Sequence, residues 1–208
     1  MKALRGFFPI QILMKDLNKE YYVLYPENNQ NYPMIYADLI PPFFGRKVVG
    51  EYQLMIYNHS TMPNNPEYVD YHTAGGEPVI SADFVKALNE LNIEGIQCLK
   101  GTEGDIIEEL NLEYYFLHVY NLINSMDMKK SNFEYDDEIQ SVDSVENFTL
   151  DSDKLSQIPL EKRLVFAMKE YSVYNILHKS VVDHLNKFDL KGMRFIPVTS
   201  WNDNAHFN

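Results

Sequence analysis

Apolar positions recur along this chain with two different periods. Over residues 80–100, Phe84, Val85, Leu88 and Leu91 fall on one helical face at i, i+1, i+4 and i+7, behind Ser81 as a capping hydroxyl. Gly95 then releases the chain from the predicted helix into an apolar strand over 96–100. The same succession returns at residues 177–197, at a constant offset of 97. Val181, Val182, Leu185 and Phe188 repeat the stripe, and Gly192 leads into a strand over 193–198. Ser180 with Asp183 resembles a capping box, although the alignment starts that helix nearer His178. Val85 meets Val182, Leu88 meets Leu185, Asn89 meets Asn186 and Gly95 meets Gly192. The remaining core positions agree in apolar character, so the two segments predict one architecture used twice.

Elsewhere the pattern is that of strands. Tyr21–Tyr25, ended by Pro26, and the alternating segment Glu51–Tyr57 are β-like, as are Asn111–Tyr120 and Leu164–Met168. A polar turn follows at Asn124-Ser125, and Asn147–Leu150 suggests a shorter strand. Residues 58–78 hold Pro63, Pro66, Pro78 and the pair Gly75-Gly76, which predict loop, while 39–47 read as a bend carrying Phe43 and Phe44. Strands outnumber helices and do not alternate regularly with them. The expected class is α+β, a mixed or antiparallel sheet with two similar helix–Gly–strand units packed on it. Residues 1–78 form a strand- and loop-rich part, 79–198 carry the repeat and 199–208 are a tail, within what one compact domain would also accommodate.

Composition narrows the class. With 208 residues, 45% of them hydrophobic and 23% charged, the chain is long and apolar enough for a sizeable core. Cys98 is the single cysteine, which excludes an intrachain disulfide, and opposite Phe195 in the repeat it reads as a small buried hydrophobe. No segment approaches the run of about 20 apolar residues that a membrane helix needs. The N-terminal run Phe7–Met14 is short, contains Pro9 and Gln11 and lacks a small-residue cleavage site, so a cytoplasmic protein is the expectation. The sequons at Asn58 and Asn147 then carry no meaning.

The charge is where chemistry first shows. The formal net charge is −12, which argues against a nucleic-acid partner. Residues 1–101 contribute −3 and residues 154–208 contribute +3, so residues 102–153 supply the whole imbalance. The densest stretch holds Glu134, Asp136, Asp137, Glu138, Asp143, Glu146, Asp151 and Asp153 with no Lys or Arg among them. An isolated acidic stretch is often only a solvated loop. Here Tyr135, Val142, Val145 and Phe148 are interleaved with the acids, which favours an ordered edge. Catalytic patterns are weak by comparison. None of the six histidines makes a His-Glu-x-x-His pair, and no phosphate-binding or nucleophile-elbow glycine pattern occurs. His118 in its aromatic strand reads as a hydrogen-bonded structural imidazole, and paired acids such as Asp136 and Asp137 are unremarkable within a run of eight. No cofactor and no metal is expected.

The unit ISADFVKALNELNIEGIQCLKG (residues 80–101), the aromatic strand and turn YYFLHVYNLINSMDMKKS (114–131) and the closing VVDHLNKFDLKGMRFIPV (181–198) resemble bacterial polymorphic-toxin immunity proteins, in particular immunity family eleven, formerly a domain of unknown function. The likeness spans about residues 79–198 and is anchored by Gly95, Asp127, Ser131 and Gly192. It implies a non-enzymatic α+β protein that binds and neutralises a toxin, with no catalytic set. On that reading the partner is a basic toxin domain, steered by the acidic middle. The candidate contacts are Tyr135, Asp136, Asp137, Glu138, Asp143 and Glu146, with Trp201 as an aromatic anchor or, equally, a cap on the core. Two other classes stay open: a small hydrolase or metal-dependent enzyme whose acids converge on His118 or His72, and a scaffolding subunit that oligomerises through its aromatics.

Overall fold

The computed structural model describes residues 15–37, 45–50, 54–58, 62–74, 77–103 and 112–203. The N-terminal apolar run and most of the 39–47 bend lie outside these. In chain order the strands are β1 (Tyr21–Pro26), β2 (Ile35–Ala37), β3 (Leu54–Asn58), β4 (Tyr71–Ala74), β5 (Glu77–Ser81), β6 (Ile96–Glu103), β7 (Tyr114–Val119), β8 (Leu122–Ile123), β9 (Asn132–Asp136), β10 (Ser141–Asn147), β11 (Val165–Met168), β12 (Asn175–His178) and β13 (Met193–Pro197). Among the described residues three α-helices join them, α1 (Ala82–Asn89), α2 (Ser152–Ser156) and α3 (Lys179–Leu185). The class is α+β, with mixed sheets.

Two larger sheets share one design. In the first the order is β2-β3-β6-β7-β5-β4, and in the second β13-β1-β12-β11-β8. The predicted repeat is a strand–helix–strand unit in both, β5-α1-β6 and β12-α3-β13. Each unit leaves a gap between its two strands, and an antiparallel strand from elsewhere fills it: β7 in the first, β1 in the second. Gly95 and Gly192 have φ of +85° and +93°, a left-handed conformation that only glycine adopts cheaply, and both sit at the exit from the helix. Ser81 caps α1 by accepting the Phe84 N–H at 3.2 Å. The second helix is capped by His178, whose Nδ1 accepts the Ser180 N–H at 3.1 Å. That puts the start where the alignment had it, two residues before the Ser180–Asp183 box.

The apolar faces of α1 and α3 meet in one core. Phe84, Leu88, Val181, Val182 and Leu185 are buried together with Ile80 and Leu177 from the two leading strands and Leu117 and Leu24 from the two filling strands. A second core lies behind the other sheet and holds Tyr21, Met126, Leu150, Phe166, Ile176 and Trp201. Burial of this kind stabilises by about 25 cal/mol per Å² of apolar surface.

Three sequence expectations are corrected. Residues 58–78 are not uniformly loop, since β4 and the first residues of β5 form a hairpin there, with Thr73 opposite Pro78. Pro78 is tolerated because pairing with β7 begins only at Val79, so Pro78 has a ladder partner on one side alone. The predicted strand at 147–150 lies earlier, as β10, while Leu150 makes an isolated bridge to Met126. β6 also runs past the expected 96–100, through Gly101, Thr102 and Glu103.

Candidate partner-binding surface

The acidic stretch folds as a two-stranded hairpin of its own, β9 with β10. Phe133 and Val145 pair across it and turn inward. Val145 is buried, and Phe133 and Val142 pack against the second core. Glu134 and Ser144 pair on the opposite face, joined by a 3.3 Å hydrogen bond from the Ser144 hydroxyl. At the tip the Asp136 carboxylate accepts the N–H groups of Glu138 (2.7 Å) and Ile139 (3.2 Å), which fixes the turn. Gln140 completes that turn at φ +53°.

Register shifts occur between Val142 and Ser144 and again between Val145 and Asn147. The extra residues are Asp143 and Glu146. A bulge rotates its extra residue out of the ladder and bends the strand, so both carboxylates stand exposed although flanked by inward-facing valines. The Glu146 carboxylate is hydrogen-bonded by Asn132 across the hairpin. Among the described residues, none of Glu134, Asp136, Asp137, Glu138, Asp143 or Glu146 has a cationic side chain within ion-pair distance. Tyr135 and Ile139 are 49% and 69% exposed beside them. The tip thus combines uncompensated negative charge with two exposed apolar side chains.

The base of the hairpin is tied to the rest of the fold by hydrogen bonds and an ion pair. Asn18 is buried and mimics a peptide: its Oδ1 accepts the Leu150 N–H at 2.7 Å and its Nδ2 donates to the Leu150 carbonyl at 3.0 Å. Asp127 accepts the Lys129 N–H at 3.1 Å and pairs with Lys130 at 2.8 Å, and Lys130 holds the Asp127 carboxyl below its ordinary range. The Thr149 N–H donates to the Ser131 hydroxyl at 3.0 Å. Asp127 and Ser131, two of the anchors of the family resemblance, therefore tie down this base. On the far strand the Asp203 N–H donates to the Glu146 carbonyl at 2.8 Å, and Tyr174 holds the Asp203 carboxylate at 2.7 Å.

Six of the seven candidate contacts, Tyr135 to Glu146, are gathered on this hairpin. Trp201 is not. It is 3% exposed and packs on Phe148 and Tyr174, with ring centroids 4.9 and 4.7 Å apart, so it caps the core and presents no exposed anchor. Its Nε1–H has no hydrogen-bond partner among the described residues. Sequence reasoning missed Ile139, whose signal was an isoleucine standing alone among turn-forming acids.

The histidines considered for catalysis serve the fold. The His118 ring is 2.8 Å from the Arg46 carbonyl. His72 donates from Nδ1 to the Pro33 carbonyl at 3.1 Å and accepts the Val69 N–H at Nε2 at 3.1 Å. Burial pushes its pKa down to about 4. Burial also pushes the Cys98 thiol up to about 11, the wrong direction for a nucleophile. A polar cleft of about 1050 Å³ opens at the hairpin base, between Asp16, Asp127 and Asp151. All three carboxylates are held below their ordinary range: Asp16 by the Asn18 side chain, Asp127 by Lys130 and Asp151 by the Lys154 N–H. Among the described residues no three His, Cys, Asp or Glu side chains are arranged to hold a metal ion, and no helix is long and apolar enough to cross a membrane. No known family model matches the chain, and no curated protein matches it.

Proposed function

We propose that this protein is an immunity protein that binds a basic toxin domain and neutralises it by stoichiometric occlusion, without catalysis. The observation that carries the reading is the β9–β10 hairpin: a firmly anchored base under a tip whose carboxylates have no cationic partner among the described residues, with Tyr135 and Ile139 exposed among them. Uncompensated charge of one sign raises the rate of encounter with an oppositely charged partner by about 10- to 1000-fold at low salt. Apolar side chains that lose water on contact slow dissociation. In this division of labour Asp137, Glu138, Asp143 and Glu146 steer, and Tyr135 and Ile139 hold. Asp136 has a different task, since its carboxylate fixes the turn that presents the others.

The test is co-expression with the product of the adjacent gene, scored by growth rescue and by co-purification as a one-to-one complex. Absence of both outcomes refutes the immunity reading. The steering claim is tested separately with Asp137→Lys, Glu138→Lys and Asp143→Lys together, which moves the formal charge from −12 to −6 and spares the turn. At low ionic strength the association rate is expected to fall by tenfold or more, converging on the wild-type rate as salt rises. Equal rates at low salt would show that the hairpin does not steer.

A further inference from the structure

The strands that fill the two gaps are related to each other. Tyr114 lies opposite Ser81 and Tyr21 opposite His178, and Ser81 and His178 are equivalent positions of the repeat. Leu117 lies opposite Cys98 and Leu24 opposite Phe195, again equivalent positions. The register therefore places β1 on β7 residue by residue, at an offset of 93. At that offset Asn18-Lys19-Glu20-Tyr21-Tyr22-Val23-Leu24 aligns with Asn111-Leu112-Glu113-Tyr114-Tyr115-Phe116-Leu117, identical at five of seven positions. Hydrogen bonds just beyond the strands match as well. The Tyr120 N–H donates to the Gly95 carbonyl at 2.9 Å and the Glu27 N–H to the Gly192 carbonyl at 2.9 Å. The hairpins that lead into each helix repeat too: Ser81 N–H to Asp70 carbonyl at 2.9 Å, His178 N–H to Leu164 carbonyl at 2.8 Å.

In chain order the repeated unit is thus a central strand, a variable segment, a hairpin, a helix and a last strand, and it occurs twice. Neither copy keeps its own central strand. β1 of the first copy lies between β12 and β13 of the second, and β7 of the second lies between β5 and β6 of the first. The helices meet where a two-fold axis would pass, because His184 contacts the carbonyl of its own counterpart, Ala87, at 3.0 Å. The shared core is made of counterpart pairs: Leu24 with Leu117, Ile80 with Leu177, Phe84 with Val181, Leu88 with Leu185.

We infer that the chain is a fused pair of homologous halves, 15–103 and 112–203, each of which is the other's binding partner through reciprocal exchange of the central strand. The two-fold relation fails at the variable segments. The first half uses its segment to extend the sheet through β2 and β3, and the second projects the acidic hairpin, so the two ends of the molecule are not equivalent surfaces.

The test uses the full-length chain with a protease site introduced within residues 104–111. After cleavage the two fragments are expected to co-elute as a one-to-one pair under native conditions and to retain the circular dichroism of the uncut chain. Separation into two independently folded fragments would overturn the inference. A second measurement addresses the exchange itself by native-state hydrogen exchange on the full chain with Val23→Gly. Weakening β1 should cost protection at β12 and β13, in the other half, while β5 and β6 keep theirs. Loss at β5 and β6 ahead of β12 and β13 would overturn it.

Discussion

Asn18→Ala removes the side chain that joins the N-terminal segment to the base of the acidic hairpin. In the wild type its amide satisfies both the N–H and the carbonyl of Leu150, at 2.7 and 3.0 Å, and the Leu150 side chain is 1% exposed. Alanine leaves two buried backbone groups without partners, at about 1–3 kcal/mol each. Asn18 and Leu150 also border the polar cleft, where an entering water can rehydrate one of them. The expected loss is therefore about 2–4 kcal/mol, a large share of the 5–15 kcal/mol typical of a folded domain. Urea unfolding followed by Trp201 emission measures it, since the single tryptophan is buried against Phe148 beside this segment. The midpoint should fall with the slope unchanged, and hydrogen exchange at the Leu150 amide should accelerate by more than tenfold. Asn18→Asp keeps the acceptor for the N–H but sets a carboxylate against the Leu150 carbonyl, so it should also destabilise. A loss under about 0.5 kcal/mol for Asn18→Ala, with Leu150 protection intact, would show that the hairpin base does not depend on this contact.

Three further outcomes are expected. His72 is neutral in the fold with its pKa lowered to about 4, so its contribution is complete above about pH 6.5 and is lost as pH falls from there towards 4, by up to about 3 kcal/mol. Unfolding free energies at pH 7 and pH 4.5 should therefore differ more in the wild type than in His72→Asn, and equal slopes would remove His72 from the account. Trp201→Phe deletes a buried N–H that has no partner among the described residues while keeping most of the ring packing, so its thermal midpoint should stay near the wild type, whereas Trp201→Ala should cost about 3–5 kcal/mol. Gly95→Ala and Gly192→Ala should each destabilise, because both positions have positive φ and a Cβ would collide with the Asn121 Cβ at 95 and with the Tyr71 carbonyl and Val69 at 192. A denaturant midpoint at the wild-type value for either would contradict this.

The helix–glycine–strand repeat was legible because apolar spacing and a helix-ending glycine are local signals, and both survive at a constant offset. Its other strand was not, since the variable segments differ in length and move the match from an offset of 97 to one of 93. The pairing of Tyr21 with His178 and Tyr114 with Ser81 sets the new offset, at which the match of residues 18–24 with 111–117 becomes visible. The hairpin was legible as an ordered acidic edge but not as strands. The bulge at Asp143 spaces Val142 and Val145 three apart, which breaks the alternation by which a strand is recognised. Pro78 misled for a related reason: what decides whether a strand tolerates proline is which flank lacks a neighbour, and that is settled by tertiary structure. Trp201 is the converse case, an aromatic in a polar tail whose burial depends on Phe148 and Tyr174 from distant segments.

Strand exchange between halves also sets an order of events during synthesis. The first sheet can close early, because β5, β6 and β7 lie within residues 77–119. β1 emerges first of all, yet its neighbours β12 and β13 lie at 175–197, and at about 5–20 residues per second they follow roughly 10–30 s later. Within that wait, from the completion of β6 at residue 103 to that of β7 at residue 119, about 1–3 s at the same rate, the slot between β5 and β6 is vacant. The strand at hand is β1, which carries the matching side chains. The nascent chain therefore passes through a stage at which the unexchanged arrangement is the reachable one, and any β1 seated there has to give way to β7 before the finished topology forms. Relatives of this fold that fold quickly should carry β1 and β7 sequences that have diverged.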